Sequence, residues 1–229
     1  NEFNQAVSYL VENWQAAKRP GREVLKGEYC SLVVMDAHRH GRQLFENLSM
    51  DNRGESWTYL PYGPFVDSEA FCAWIKETQL EKDTQLYAIL SESAEPIGVA
   101  GYLRINPDHG VIEVGHLHYS KLLQRTPAAT EAMYLMMQYA FEGLGYRRYE
   151  WKCHSLNEAS RRAALRLGFQ FEGVFRQCNV FKERNRDTAW FSIIDSEWPG
   201  LKEKFEKWLD KDNFDEAGKQ RVSLQIIKS

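Results

Sequence analysis

Hydrophobic residues recur at helical spacing in several segments of the chain. The strongest is 127–144, where small and apolar residues form one stripe and two glycines follow. The same spacing predicts further helices at 36–48, 67–80, 157–167 and 199–210, and a leading amphipathic helix at 2–17.

Runs rich in Val, Ile, Leu and aromatic residues predict strands between these helices. They lie at 28–35, 85–92, 96–106, 111–119, 146–154, 171–182 and 187–194. Three strands in succession form an antiparallel meander, whereas strands joined through helices favour parallel neighbours. The order therefore predicts an α/β (α+β) fold with a central mixed β-sheet flanked by helices, and not a doubly wound parallel sheet.

Composition narrows the class of protein. Of the 229 residues, 43% are hydrophobic and 27% charged, which is ordinary globular usage in a chain long enough for a core. The net charge of −3 argues against nucleic acid as a partner. No apolar run approaches the ~20 residues that cross a bilayer, and no secretion pattern is visible. Four scattered cysteines without a CxxC pair favour a reducing cytoplasm.

The loop-like stretch 51–64 and the adjoining Phe65 are rich in aromatic residues, with Trp57, Tyr59 and Tyr62. Such a loop either packs down on its own aromatic side chains or forms one wall of a substrate cleft. A third interpretation is a surface for another protein. The pattern leaves these alternatives open.

The segment before the clearest helix has the features of an anion site. Thr126 is placed as the N-cap and Pro127 as the first helical residue. The small Ala128 and Ala129 would let a ligand approach the first-turn amides. Free N–H groups and the helix dipole attract an anion there. The plain alternative is a well-capped helix without a ligand.

This region resembles the acetyl-CoA-binding motif of the GNAT (Gcn5-related N-acetyltransferase) superfamily. In that family the loop reads Gln/Arg-x-x-Gly-x-Gly/Ala, and its amides hold the CoA pyrophosphate. Gln124 and Ala129 match the ends of the pattern, Pro127 replaces the central glycine, and 130–132 resemble the RimJ/RimL-like branch. Proline removes one N–H but suits the first helical position. The resemblance implies that acetyl-CoA is the co-substrate, held by Gln124, Arg125, Thr126, Ala128 and Ala129.

A second segment is similar to the family's Asn-x-x-Ser…Leu-Gly-Phe pattern, and it runs from Asn157 through Ser160 to 167–169. The family's asparagine contacts the pantetheine arm of CoA, and this role passes to Asn157, which is equally suited to cap a helix. The likeness covers roughly 24–196 and implies a splayed mixed sheet. It adds to the cofactor site His118 and Tyr119, where the sheet would splay around the thioester, and Arg161, for the 3′-phosphate.

Direct acyl transfer needs a base to take the proton of the attacking amine and an acid for the leaving thiolate. The tyrosine and glutamate that often serve in the family map onto Ala164 and Lys152 here. Glu113, on the strand leading into the cofactor loop, is then the candidate base through water, and Ser160 the candidate acid. Their plain alternatives are a strand-face charge and a hydrogen bond to the helix backbone.

The pair His116 and His118 and the single Cys153 could suggest a metal site and a nucleophile, but the sequence favours neither. His116 and His118 share a strand face, but no Cys or carboxylate completes a site at recognisable spacing, so we predict no metal. Cys153 is better explained by burial in a strand than as a nucleophile.

Three regions are predicted: an N-terminal helical extension (1–22), a GNAT acetyltransferase domain (23–198), and a C-terminal helix with a loose polar tail (199–229). The predicted activity moves an acetyl group from acetyl-CoA to a primary amine, either a protein N-terminus or a small molecule. The rival prediction is a non-catalytic CoA-binding sensor or complex subunit on the same fold. We expect no nucleic acid or membrane partner, a cytoplasmic location, and end helices available for a homodimer contact.

Overall fold

An eight-stranded mixed sheet runs through the structure, a computed structural model that describes residues 2–50, 54–216 and 218–227. The strands are β1 (Leu25–Lys26), β2 (Cys30–Val34), β3 (Gln85–Ser91), β4 (Pro96–Asn106), β5 (Val111–Tyr119), β6 (Arg148–His154), β7 (Gln170–Phe181) and β8 (Arg184–Ile194). Their spatial order is β1-β2-β3-β4-β5-β6-β8-β7. Every neighbouring pair is antiparallel except β5 and β6, which are parallel. The predicted mixed sheet is confirmed.

The longer helices also lie where hydrophobic spacing predicts them. They are α1 (Ala37–Leu48), α2 (Ser68–Thr78), α3 (Pro127–Gln138), α4 (Glu158–Arg166) and α5 (Trp198–Leu209). The side chains of Asp36, Asp67, Thr126 and Asn157 accept a backbone N–H at the start of the first four helices, as N-caps do. These caps explain why the helices begin where they do.

Helices cover both faces of the sheet. Helices α1 and α2 pack over β3 and β4 around a smaller core that includes Leu44 and Phe71. Helices α3, α4 and α5 cover the opposite face and enclose the larger core. Strand β6 shows the period-2 alternation: Tyr149 and Trp151 enter the larger core, and the charged residues between them face the other way.

The leading helix predicted at 2–17 is wrong. Residues 2–24 contain turns and extended chain but no helix, and the apolar Val7 and Leu10 are exposed. The later part crosses two turns of the domain as a strap: Ala17 N–H donates to Pro107 O at 3.1 Å and Lys18 N–H to Leu144 O at 2.8 Å. An amphipathic stripe needs an apolar surface to cover, and a short helix without one is marginal in water.

The expectation of a loose C-terminal tail is also wrong for most of the tail that the structure describes. The Asn213 amide donates to Trp208 O at 2.9 Å and to Val222 O at 3.2 Å, and Leu224 is buried in the larger core. The polar composition of this segment predicts that it is exposed to solvent. The hydrogen bonds of Asn213 and the burial of Leu224 nevertheless hold it against the rest of the structure.

A buried carboxylate joins α3 to the edge of the sheet. Glu131 accepts three backbone N–H groups, from Glu28 at 2.8 Å, Tyr29 at 2.7 Å and Cys30 at 2.8 Å. Gly27 lies so close that any Cβ there would collide with the carboxylate. Since α3 begins at the candidate cofactor loop, this contact fixes the loop relative to β2.

We predict that Glu131→Gln lowers the free energy of unfolding by about 2–3 kcal/mol, because an amide has one acceptor oxygen and leaves N–H donors in this buried turn unpaired. Urea denaturation measures the loss. The exposed Glu203→Gln on α5 is the matched control and should change stability by less than about 0.5 kcal/mol. Equal effects from both variants would contradict the role given to Glu131.

Candidate active site

The two parallel strands at the centre of the sheet separate after a short pairing. Their register covers only Val111–Val114 against Arg148–Trp151. From Gly115 onward, the edge of β5 that faces β6 pairs with no other strand among the residues that the structure describes. A cleft of about 440 Å³ opens at this point. Unpaired strand edges beside a cavity offer backbone donors and acceptors to an extended ligand.

Two helices begin directly after the separating ends of these strands. Helix α3 follows β5 and starts behind the cap Thr126, and α4 follows β6 and starts behind the cap Asn157. Because β5 and β6 run parallel, both helices start at the same end of the sheet. Asn157, before α4, lines the cleft, whereas Gln124, Arg125, Thr126, Ala128 and Ala129, around the start of α3, do not.

The loop before α3 is shaped by a left-handed residue. Arg125 has φ 63°, which turns the chain into the helix. Thr126 Oγ1 accepts from the Ala129 N–H at 3.3 Å, and Gln124 Nε2 donates to Tyr119 O at 2.7 Å. Across the described residues, the amides of Arg125 and Ala128 donate to no backbone carbonyl. The anion site predicted for this loop stays a prediction.

The second motif places a hydroxyl in the cleft. Asn157 Oδ1 accepts from the Ser160 N–H at 3.1 Å, and Ser160 Oγ accepts from Trp151 Nε1 at 3.0 Å. Asn157, Ser160 and Trp151 all line the cleft. The indole occupies one lone pair of Ser160 Oγ and fixes its position, so the hydroxyl proton can be directed elsewhere.

A row of charged side chains forms the floor of the cleft. Glu113 Oε2 pairs with Arg104 at 2.7 Å and with Lys152 at 2.8 Å, and Lys152 pairs with Glu150 at 2.7 Å. The side chains of Glu113 and Lys152 are only 4% and 6% exposed. Lys152 Nζ also lies 3.8 Å from the centre of the Trp190 ring. Burial is tolerated because each charge has an opposite partner.

The aromatic loop forms one wall of the cleft and combines two of the three sequence interpretations, because it packs on its own aromatic side chains and also borders the cavity. The third, a surface for another protein, stays a prediction. Trp57 is buried against Tyr62 and Phe65, while Ser56 and the segment 59–61 line the cleft. Lys182 Nζ donates to Trp57 O at 2.9 Å and so ties this loop to the β7–β8 hairpin, which forms the opposite wall.

His116 lies on a bulge of β5. Val99 on β4 pairs with His118 on β5, and Gly101 pairs with Gly115, so β5 has one more residue than β4 between these two pairs. His116 lies in this segment and has φ 51°. Its Nδ1 lies 3.0 Å from the Tyr62 hydroxyl. Burial lowers the pKa of His116 to about 4, with a smaller contribution from Arg104. The imidazole is therefore neutral at physiological pH.

The remaining predicted site residues lie at the edge of the site or outside it. His118 is buried with its ring 4.1 Å from that of Trp57, and Tyr119 packs against the larger core. Neither residue lines the cleft. Arg161 donates to Ser155 O at 3.3 Å and lies over the Phe171 ring. Cys153 is buried, as predicted, and burial raises the pKa of its thiol.

Arg104 and Arg186 also line the cleft, which the sequence analysis above does not predict. Arg104 reaches Glu113 from a left-handed position on β4, and Arg186 comes from the hairpin. No local motif marks either one. Lys152 was noticed only as a departure from a family pattern.

Comparison with known proteins identifies the family of this site. A profile of the Acetyltransferase (GNAT) domain matches residues 39–170. An uncharacterized N-acetyltransferase, p20 of Bacillus licheniformis, is 30% identical over 150 residues, which cover 62% of this chain and 82% of the relative.

Solved structures agree with that match. The crystal structure of a GCN5-related N-acetyltransferase from Brucella melitensis is 44% identical, with a TM-score of 0.91 over 94% of this chain and 98% of the other. A RimL ribosomal L7/L12 alpha-N-protein acetyltransferase, solved in complex with coenzyme A, has a TM-score of 0.66 at 20% identity over 76% of this chain and 99% of its own. At that identity the likeness concerns the fold, and the RimJ/RimL-like branch stays a prediction.

In the ranges that the structure describes, no helix is long and apolar enough to span a bilayer. Within the same ranges, His, Cys, Asp and Glu side chains do not gather in groups of three that could hold a metal ion.

We predict that His116 makes folding stability pH-dependent. Its pKa is about 4 in the folded state and about 6.5 in the unfolded chain, so the unfolded state binds the extra proton between these values. Stability is therefore highest above about pH 6.5 and falls by about 2 kcal/mol on going from pH 7 to pH 5. Urea denaturation at both pH values should show this loss reduced by a similar amount in His116→Asn.

The exposed His109→Asn serves as the control. Other histidines contribute equally to all three proteins and cancel in the comparison. If His116→Asn and the unaltered protein lost the same stability between pH 7 and pH 5, His116 would not be the buried neutral group described here.

Proposed function

Because the chain belongs to the GNAT acetyltransferase family, we propose that it transfers the acetyl group of acetyl-CoA to a primary amine by direct attack. The observation that carries this proposal is the separation of β5 and β6 with two helix N-termini at the same end. Such a cleft brings an anion site and an extended backbone edge to one place.

The donor end fits an anionic, elongated co-substrate. The free amides at Arg125 and Ala128 suit a pyrophosphate, and Ala128 and Ala129 carry no bulk that would block it. Pro127 stands at the first helical position, where its missing N–H removes one donor. Asn157 lines the cleft beside the open edge of β5, which suits contact with the amides of a pantetheine arm. Acetyl-CoA bound there supplies an activated thioester.

The acceptor end favours an amine that reaches the thioester uncharged. Among the described residues that line the cleft, Arg104, Lys152 and Arg186 outnumber the one carboxylate, Glu113. This excess of positive charge disfavours an ammonium ion and so lowers the pKa of a bound amine. Glu113 lies between Arg104 and Lys152 and pairs with both. We therefore assign to Glu113 the reception of the amine proton through water, and to the cationic surroundings the selection of the neutral amine.

Ser160 is placed to protonate the leaving thiolate. Trp151 donates to its oxygen and holds it in the cleft, with the Cys153 thiol as a second neighbour of the hydroxyl. A covalent route through Cys153 is disfavoured, because burial raises the pKa of that thiol and keeps it protonated. Both points support direct transfer without an enzyme-bound acyl group.

We predict that Thr126→Asp weakens acetyl-CoA binding by about 10- to 100-fold, because the added carboxylate repels the pyrophosphate over a few ångströms. Thr126→Asn has nearly the same size, and both Asn and Asp cap helices well. The asparagine variant should bind within about threefold of the unaltered protein. Isothermal titration calorimetry with acetyl-CoA measures both, and Asn157→Ala should also bind more weakly.

Two outcomes would contradict the proposal. The unaltered protein, folded by circular dichroism, could fail to bind acetyl-CoA at all. Alternatively, the aspartate and asparagine variants could bind equally well, which would place the pyrophosphate elsewhere.

We predict that Ser160→Ala lowers kcat about 10- to 100-fold, in the range that one acid contributes, and leaves the Kd for acetyl-CoA within about threefold. Steady-state release of free CoA, followed with a thiol reagent, measures kcat. Trp151→Phe removes the indole donor but keeps the hydroxyl, so its kcat should fall much less. A loss in Trp151→Phe as large as that in Ser160→Ala would show that Ser160 acts only by packing.

A further inference from the structure

We propose that the acceptor is an amino-acid-like molecule, a small amine that also carries a carboxylate, and that Arg186 binds this carboxylate. The inference rests on the acetyltransferase function proposed above and names the substrate class of the same cleft. It starts from the charges around the cleft.

The described side chains that line the cleft carry more positive than negative charge. The cations are Arg104, Lys152 and Arg186, and the carboxylate is Glu113. The chain as a whole has the opposite sign, with a net charge of −3. A cavity whose charge opposes that of the chain favours anionic ligands over polycationic ones.

The three cations differ in how they are compensated. Arg104 pairs with Glu113, and Lys152 lies between Glu113 and Glu150. Arg186 forms no ion pair with any carboxylate in the described ranges of the chain, and its buried Nε has no hydrogen-bond partner there. Its guanidinium lies over the Phe181 ring, 4.7 Å from the ring centre. The positive charge that remains available in the cleft is therefore that of Arg186.

The surroundings of Arg186 make an anion favourable. The residue is half-buried, and burial lowers the pKa of its guanidinium. An arginine nevertheless keeps its positive charge at physiological pH. Glu113 attracts the guanidinium from a distance but forms no ion pair with it. A partly desolvated cation without an ion pair is costly, and a bound carboxylate would offset that cost. The planar fork of an arginine matches the two oxygens of a carboxylate. Two further residues of the hairpin wall, Asn179 and Thr188, are neutral and polar.

The position of Arg186 also suits a small acceptor. It stands on β8, the strand that pairs with β6, and faces the same cleft as Ser160 and the open end of β5. An amine directed at the thioester can therefore place a nearby carboxylate on Arg186. A polyamine would instead bring a second ammonium ion to this arginine, and like charges repel.

The test compares matched acceptors. Purified full-length chain is assayed with acetyl-CoA and each of the common amino acids, beside the corresponding amine that lacks the carboxylate. We expect at least one amino acid to be acetylated with a kcat/KM at least 10-fold above that of its carboxylate-free amine. Arg186→Gln should lower kcat/KM for that amino acid about 10- to 100-fold, mainly through KM, since a charge-assisted hydrogen bond is lost. The kcat/KM of Arg186→Gln for the carboxylate-free amine should differ from that of the unaltered protein by less than threefold.

Arg176→Gln is the matched control, because Arg176 lies exposed on the same hairpin and outside the cleft. Three results would overturn the inference. Carboxylate-free amines could be acetylated with the same kcat/KM as amino acids, or protein that binds acetyl-CoA could acetylate no amino acid. Alternatively, Arg186→Gln could lower kcat/KM equally for both kinds of acceptor. Failure of the proposed function is distinguishable, because it appears as the absence of acetyl-CoA binding in calorimetry, before any acceptor is added.

Discussion

The site depends on one constraint, which is that β5 and β6 pair at one end and separate at the other. Parallel pairing holds them from Val111 and Arg148 for four residues. The bulge at His116 then turns β5 away. This separation leaves the backbone edge of β5 open and makes room for the cavity, and two helices start at the same end of the sheet. A continuous sheet here would satisfy its own hydrogen bonds and leave no room for a ligand.

The charged floor of the cleft keeps the separated strands in place. Glu113 from β5 and Lys152 from β6 form a buried pair across the gap, and Arg104 from β4 extends it. A buried pair gains little net stability, because desolvation consumes most of the Coulomb energy. Breaking it, however, leaves an isolated charge, which is expensive. The row therefore acts as a specific tie between strands at the point where backbone hydrogen bonds end.

Much of the fold and the donor end of the site could be predicted from the sequence, because both depend on neighbours along the chain. Apolar periodicity located β2 to β8 and α1 to α5 to within a few residues, and the caps Thr126 and Asn157 are local signals. The leading helix failed since its stripe has no surface to cover. The meeting of Arg104, His116 and Arg186 could not be predicted, because bulges in β5 and β7 shift the register that brings them together.

The donor end of the cleft is formed mainly by backbone groups and the acceptor end mainly by side chains. Family membership therefore says more about the donor than about the acceptor. The donor end consists of helix N-termini, small residues and an open strand edge, so its specificity comes mainly from the backbone. The acceptor end consists of side chains on a loop and a hairpin, such as Tyr59 and Arg186, which can change without disturbing the sheet. Motifs therefore report which group is transferred. The amine that receives it is selected by the charges of the acceptor wall, where the sign and pairing of each cation matter more than the fold.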